Sequence, residues 1–302
     1  MNTTDTIIIG EGFYGLFVGI KIAEKGYNVK IFEKKTKSLF INNLRLFFPE
    51  NCNYIKKFLN KLNISYITIH NNNTTVSSII SNIDKMPTSL QQDTIFKDTC
   101  NNILNKHTIN LLKNEIYEIE FLFNIDTESA VQLIKKNYIN INKYIKVTES
   151  SLSILKKMRE YFKSLNGNIY YNNKVFSIII NSSNQFICNI NNRNWYSNIL
   201  ISTINIENLL LIYKWSDHIR NNLTNMINVK NKKVYKLILN KCHISIPIKY
   251  KTCIKKFNLN NRKSSNILGS DKHLYVCNED FNNTPYWING NIDTISEITK
   301  YI

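Results

Sequence analysis

Glycine is scarce in this chain: eight of 302 residues, with none between Gly26 and Gly167. Cysteine is present but unpaired in pattern. Cys52, Cys100, Cys188, Cys242, Cys253 and Cys277 form no CxxC pair, and no CxxH or HxxxH spacing accompanies them. A metal cage is therefore not expected, and free thiols in a reducing compartment are. The five histidines are equally scattered; His273 falls near a motif discussed below and is given no role. No run of eighteen uncharged apolar residues occurs, because the most apolar stretch, Ile7 to Ala23, is broken by Glu11 and Lys21. A membrane span is therefore not expected. Asp5 precedes the apolar run with no basic residue ahead of it, unlike a secretory signal peptide, so a cytoplasmic location is expected. No Ser/His/Asp set, paired carboxylates, phosphate-loop lysine or internal repeat points to another enzyme class.

Acidic residues are also few, 22 against 39 lysines and arginines, giving a formal charge of +17. Basic residues cluster in "NVKNKKVYK" and "KYKTCIKK". Most of the excess is lysine beside abundant asparagine and isoleucine, the bias of an AT-rich genome, while arginine, which reads bases bidentately, is rare. Nonspecific attraction to polyanions is expected, and sequence-specific nucleic-acid binding is not.

What is present is concentrated at the start. The length and 43% hydrophobic content suit one or two interleaved domains with a real core. "DTIIIG" is a β-branched run suited to a strand buried on both faces of a parallel sheet. Gly10, Gly12 and Gly15 follow, then "LFVGIKIAEKG" places Leu16, Ile20 and Ala23 on one helical face, with Gly26 where the helix would stop. "YNVKIFEK" reads as a second strand ending in Glu33. Strand, glycine turn, helix, strand and acid within about thirty residues is a dinucleotide-binding arrangement. Gly10 permits the turn, Gly12 admits a pyrophosphate, Gly15 allows close packing, and the helix start, with Phe13 and Tyr14, offers N–H groups to phosphates. Glu33 would accept hydrogen bonds from the adenosine ribose and repel a 2′-phosphate.

Local physics leaves NAD and FAD open. The opening "TIIIGEGFYGLFVGIKIAEKGYNVKIFEKK" resembles the flavin-containing amine oxidases, the family of monoamine and polyamine oxidases. Two later segments are similar to the same family: "LSILKKMREYFKSLNGNIYYNNKVFSIIINSSNQFICNINNRNWYSNILISTI" and the closing "HLYVCNEDFNNTPYWINGNIDTISEITKYI". The resemblance implies FAD as cofactor, a small-molecule amine as substrate, and an FAD domain interleaved with a substrate domain. It puts the Val175 backbone near the adenine, Glu279 on the ribityl chain, Trp287 over the flavin as a wall of the amine pocket, the Ile288 N–H near a flavin carbonyl oxygen, and Gly290 at the last helix start. "KVYKLIL" resembles the strand whose lysine holds a water beside the flavin, which makes Lys236 that residue. Read without the resemblance, the middle segment is a helix with Leu155, Met158 and Phe162 inward, followed by strands "NIYY", "KVFSIII", "QFICNI" and "WYSNILIST".

The chain departs from the family at defined places. The Gly-Gly-Arg loop that follows the acid is absent; "NNLRLF" looks like a later family segment, with Arg45 in the arginine's place, and Asn278 replaces a glycine of the closing motif. The stretch between "KVYKLIL" and "LYVCNED" is short, so strands of the substrate domain are expected to be missing. Such trimming, with the AT-rich composition, fits a large DNA virus. Between Leu46 and Lys146 helices are expected, including one with Ile55, Phe58, Leu59 and Leu62 inward and one starting at Thr127 and Glu128, while "HNNNTTVSS" reads as a loop tip. The expected architecture is α/β: a Rossmann-like FAD-binding domain (1–40, 147–213, 265–302) interleaved with a reduced, mainly helical substrate-type domain (41–146, 214–264). Two functions follow from the resemblance: an FAD-dependent oxidoreductase of the amine-oxidase type, or a catalytically inactive descendant serving as a structural or partner-binding protein.

Overall fold

The computed structural model describes residues 2–36, 47–70, 74–116, 119–141, 143–213 and 274–277, together with Ile295 and Thr299. These fall into two compact units. The first takes the described residues within Met1–Ile69, Ile145–Arg220 and Arg262–Ile302, the second those within His70–Tyr144.

The first unit opens with β1 (Asn2–Ile9), α1 (Phe13–Ala23) and β2 (Val29–Phe32). Ile7 and Ile8 are fully buried, which is why "TIIIG" carries no polar alternation: a central parallel strand is covered on both faces. α1 has nine buried residues of eleven, and the chain leaves it through Gly26 at φ +91°. Next come β3 (Phe47–Pro49), α2 (Asn53–Lys61) and β4 (Tyr66–His70).

The second unit is helical: α3 (Thr74–Asp84), α4 (Thr88–Asp93), α5 (Phe96–Ile103), α6 (Lys106–Glu115), α7 (Ile119–Leu122) and α8 (Thr127–Ile134), which runs into a π-turn over Lys135–Ile139. The expected loop "HNNNTTVSS" is corrected in its second half, because Thr74 to Ser78 form the first turns of α3, while residues 71–73 lie outside the described residues. Val76, Ile79, Ile80 and Ile83 recur at helical spacing and are all buried, and that apolar face outweighs the polar low-complexity composition around it. The cap of α8 is Asp126, one residue before the expected start; its carboxylate accepts the Ser129 N–H at 2.8 Å.

β5 (Lys143–Val147) leads back to the first unit, which continues with α9 (Ser151–Ser164), β6 (Asn168–Tyr170), β7 (Val175–Ile180), β8 (Phe186–Ile190), β9 (Arg193–Ser202), α10 (Ile206–Ile212) and β10 (Leu274–Val276). The main sheet has the order β6–β2–β1–β9–β8–β7, with β10 also on β9. Pairs β6–β2, β2–β1, β1–β9 and β9–β10 are parallel, whereas β7, β8 and the first half of β9 form an antiparallel meander. One long strand serves both parts: β8 pairs with β9 as far as Ser197, and β10 pairs with it from Leu200 to Ser202. Trp195 of β9 reaches Phe32 of β2 at 5.0 Å and Tyr170 of β6 at 5.4 Å between ring centroids, so an aromatic cluster ties β9 to the two strands beyond β1. α1 and α9 contribute Leu16, Phe17, Ile20, Leu155, Met158 and Phe162 to the core, together with Cys277 and Ile295 from the end of the chain. A three-stranded sheet of order β3–β5–β4 adds Phe48, Ile145 and Val147 to the same core.

Residues 47–69, expected with the substrate-type domain, belong to the first unit. The reason is α2, whose Ile55, Phe58 and Leu59 are buried in the core that α1 builds. No helix among the described residues is long and apolar enough to cross a membrane.

Candidate functional site: the turn between β1 and α1

Parallel strands β1, β2 and β9 end side by side, and the turn Gly10–Gly12 leaves the sheet there. Gly10 N–H continues the ladder to the Phe32 carbonyl at 2.9 Å. On the other side, Thr203 N–H donates to the Ile9 carbonyl at 2.9 Å, and the Thr203 hydroxyl reaches the Ile9 and Gly10 carbonyls at 3.1 and 3.0 Å. Gly10 has φ +97°, and a Cβ there would stand 2.5 Å from Thr203 Oγ1, so both conformation and space require glycine. Gly12 differs: its φ is +24°, yet nothing lies within 4 Å of where its Cβ would be. The turn is open at Gly12 and closed at Gly10. α1 begins at Phe13 with no side-chain cap on its N-terminus, the arrangement that suits an anion.

Glu33 follows β2 beside this turn. Its Oε2 accepts the Glu11 N–H at 2.9 Å and its Oε1 accepts the Lys35 N–H at 3.0 Å. Each carboxylate oxygen has a further lone pair, so the group can still accept hydroxyl donors. The backbone around it is tied to the loop after β6: Glu33 N–H donates to the Tyr170 carbonyl and Asn173 N–H to the Glu33 carbonyl, both at 2.9 Å. That loop leads to Val175, the first residue of β7, which is buried. Gly10, Gly12, Gly15, Glu33 and the approach to Val175 are therefore brought together.

Phe13 and Tyr14 are at the helix start, but their side chains pack inward. Phe13 is 3% exposed and stacks on Phe17 with ring centroids 5.9 Å apart, and Tyr14 packs against the same core. Only their backbone faces the task expected of them. Arg45, Lys236, Glu279, Trp287, Ile288 and Gly290 lie outside the described residues. β10 nevertheless returns the chain to β9, next to β1, with the Cys277 N–H on the Ser202 carbonyl at 2.8 Å.

Three residues at this turn escape motif reading. Glu11, between the glycines, is 3% exposed; Arg159 of α9 is 8% exposed and donates through Nε and Nη2 to its carboxylate, the latter at 3.3 Å. The Tyr171 hydroxyl donates to Glu11 Oε1 at 2.8 Å. Burial works to depress the Arg159 pKa, but the hydrogen bond and charge of Glu11 outweigh it and hold the guanidinium above its ordinary value. Burial, with Glu11 beside it, pushes the Tyr171 hydroxyl up. One signal was available: Arg159 lies on the same helical face as Leu155, Met158 and Phe162, where a charge needs a partner.

No protein-family model matches the sequence, and no curated protein matches it either. Solved structures do match in shape. Variants of putrescine oxidase made in a redesign of its cofactor binding superpose with TM-scores of 0.57, 0.63 and 0.56, at 9–10% identity, over 99% of this chain and 98% of theirs. A protein from Pyrococcus furiosus superposes with a TM-score of 0.50 at 11% identity, over 72% of this chain; the match spans 64% of that protein's length. At such identities the likeness is one of fold alone: mixed α/β with a parallel sheet of the Rossmann-like kind.

Proposed function

We propose that the chain is an FAD-dependent oxidoreductase of the amine-oxidase type, taking a hydride from the carbon next to an amine, with molecular oxygen as reoxidant. The observation that carries this reading is the turn itself: an open backbone at Gly12, an uncapped helix start, and a Glu33 carboxylate oriented beside them. The residues fit the group. Gly10, Gly12 and Gly15 would hold a pyrophosphate by backbone approach, Glu33 would hold the adenosine ribose, and the loop before Val175 would flank the adenine. FAD, when bound, supplies the hydride-accepting chemistry, and the protein supplies position and electrostatics. The fold shared with putrescine oxidase over nearly the whole chain supports the amine class of substrate. By resemblance Arg45, Glu279, Ile288 and Gly290 would complete the cofactor site, while Trp287 would wall the amine pocket and Lys236 would hold a water there.

A second reading, an inactive descendant, is favoured by one observation. The sequence lacks any glycine between Gly26 and Gly167, so the Gly-Gly-Arg loop is missing. Each charge-assisted hydrogen bond lost with it is worth about 1.5 to 3 kcal/mol.

The test is colour. Purified protein incubated with FAD and desalted should be yellow, and Glu33→Ala should weaken FAD binding by about 1 to 3 kcal/mol. A colourless protein that takes up no FAD would overturn the cofactor assignment. Retained FAD that no primary or secondary amine bleaches without oxygen would favour the inactive descendant.

A further inference from the structure

We infer that Glu11, Arg159 and Tyr171 form a latch that positions Glu33 for the adenosine end of a bound dinucleotide; this rests on the dinucleotide reading above. The turn needs such a device. Gly10 and Gly12 both have positive φ, and glycine is the residue with most conformational freedom to lose. Glu11 is the one residue between them, and hence the only side chain from which that short stretch can be anchored. Its carboxylate is held from two directions, by Arg159 on α9 and by Tyr171 in the loop after β6. Its own N–H holds Glu33 Oε2 at 2.9 Å. A shift of the Glu11 backbone therefore releases one of the two N–H groups that orient the Glu33 carboxylate.

Stability alone is a poor explanation for the pair. Taking a carboxylate and a guanidinium out of water roughly cancels their attraction, and apolar replacements of similar volume are often as stable. What a buried, bidentate contact does supply is a defined geometry. Here that geometry is transmitted through a single peptide N–H to the group expected to read the ribose. Glu11, Arg159 and Tyr171 are positioning residues in this scheme and touch no ligand themselves.

The experiment compares ligands that contain the adenosine half with one that lacks it. The full-length Glu11→Gln/Arg159→Met double variant, which leaves no unpaired charge, is titrated with FAD, ADP and FMN by calorimetry, alongside the parent chain. Affinity for ADP and FAD should fall about tenfold, the equivalent of one well-made hydrogen bond, while affinity for FMN and the melting temperature stay close to the parent's. In a Glu33→Ala background the same double substitution should add nothing further, because its effect runs through Glu33. Unchanged ADP affinity, or equal losses for ADP and FMN, would overturn the latch and leave the dinucleotide reading standing; a parent chain that binds neither FAD nor ADP would overturn that reading itself. Should the double variant fail to fold, Tyr171→Phe provides the same comparison with one hydroxyl removed: a selective loss of ADP affinity supports the latch, and no loss refutes it.

Discussion

A β-carbon on Gly15 would stand 2.0 Å from the Gly10 carbonyl oxygen and 3.0 Å from its carbon. Backbone meets backbone here, so no rotamer change can relieve the clash. Gly15→Ala should destabilise the first unit by about 1 to 3 kcal/mol or more, since α1 must move away from the turn. Gly12→Ala is the control. Its Cβ would enter open space, and the strain of φ +24° should cost about 1 to 2 kcal/mol, while the added methyl crowds the path of a phosphate. Denaturant unfolding checks the ranking: Gly12→Ala at least as destabilising as Gly15→Ala would mean that the turn is not packed as described.

Phe58 of α2 sets its ring against Phe17 of α1 at 4.3 Å, edge to face at 84°. Both rings are essentially unexposed. Phe58→Ala should cost about 3 to 5 kcal/mol through lost burial and the cavity left behind. Hydrogen exchange should show faster exchange in α1, β1 and β2 together, because α2 shares their core. Acceleration confined to residues 70–144 would instead put α2 with the second unit.

The parts of this architecture that could be read from sequence are those encoded within about thirty residues. β-branched runs, three glycines and an acid specify β1, α1, β2 and Glu33, and helical spacing specifies α2 and α9. Nothing local specifies that β9 lies beside β1, or that one strand serves both the parallel sheet and the meander. The Glu11 to Arg159 contact spans 148 positions, so although each charge stands out in an apolar setting, nothing local pairs the two. Composition misled at "HNNNTTVSS", where four buried apolar positions from Val76 to Ile83 outweigh a polar setting. Phe13 and Tyr14 stand at the start of α1, where their rings follow the hydrophobic effect inward and leave only backbone at the site.

Glycine scarcity has a structural counterpart. Among the described residues, each non-glycine with positive φ is an asparagine: Asn63, Asn166, Asn172, Asn184, Asn191 and Asn192. Asparagine tolerates the left-handed region better than other side chains, and so fills turns that glycine would otherwise occupy. At the end of α9, Asn166 has φ +62° and its N–H bonds the Lys163 carbonyl at 2.9 Å. Asn166→Gly should leave stability within about 0.5 kcal/mol, whereas Asn166→Ala should lose about 1 kcal/mol. Equal melting temperatures for the two variants would refute the left-handed assignment.

Glu149, just ahead of α9, joins that helix to β4's neighbourhood. Its carboxylate accepts the Ser65 N–H at 2.8 Å, Lys157 Nζ at 2.7 Å and the Ser153 hydroxyl at 2.6 Å. Burial alone would raise its pKa, but the Lys157 and Ser153 hydrogen bonds and the Ser65 N–H outweigh that and bring it down to about 2. A carboxyl whose folded pKa lies below its unfolded value of 4.5 binds protons more readily when unfolded. Its contribution is therefore complete above about pH 5 and shrinks as pH falls toward 2. Partial solvent access screens the ion pair, so the contribution near neutral pH should be about 1 kcal/mol. Glu149→Gln should be less stable than the parent by that amount near neutrality, and the gap should narrow as unfolding is measured at successively lower pH. A gap that stays constant from about pH 6 to pH 3 would show that the carboxylate charge contributes nothing, and that Glu149 acts through shape and neutral hydrogen bonding alone.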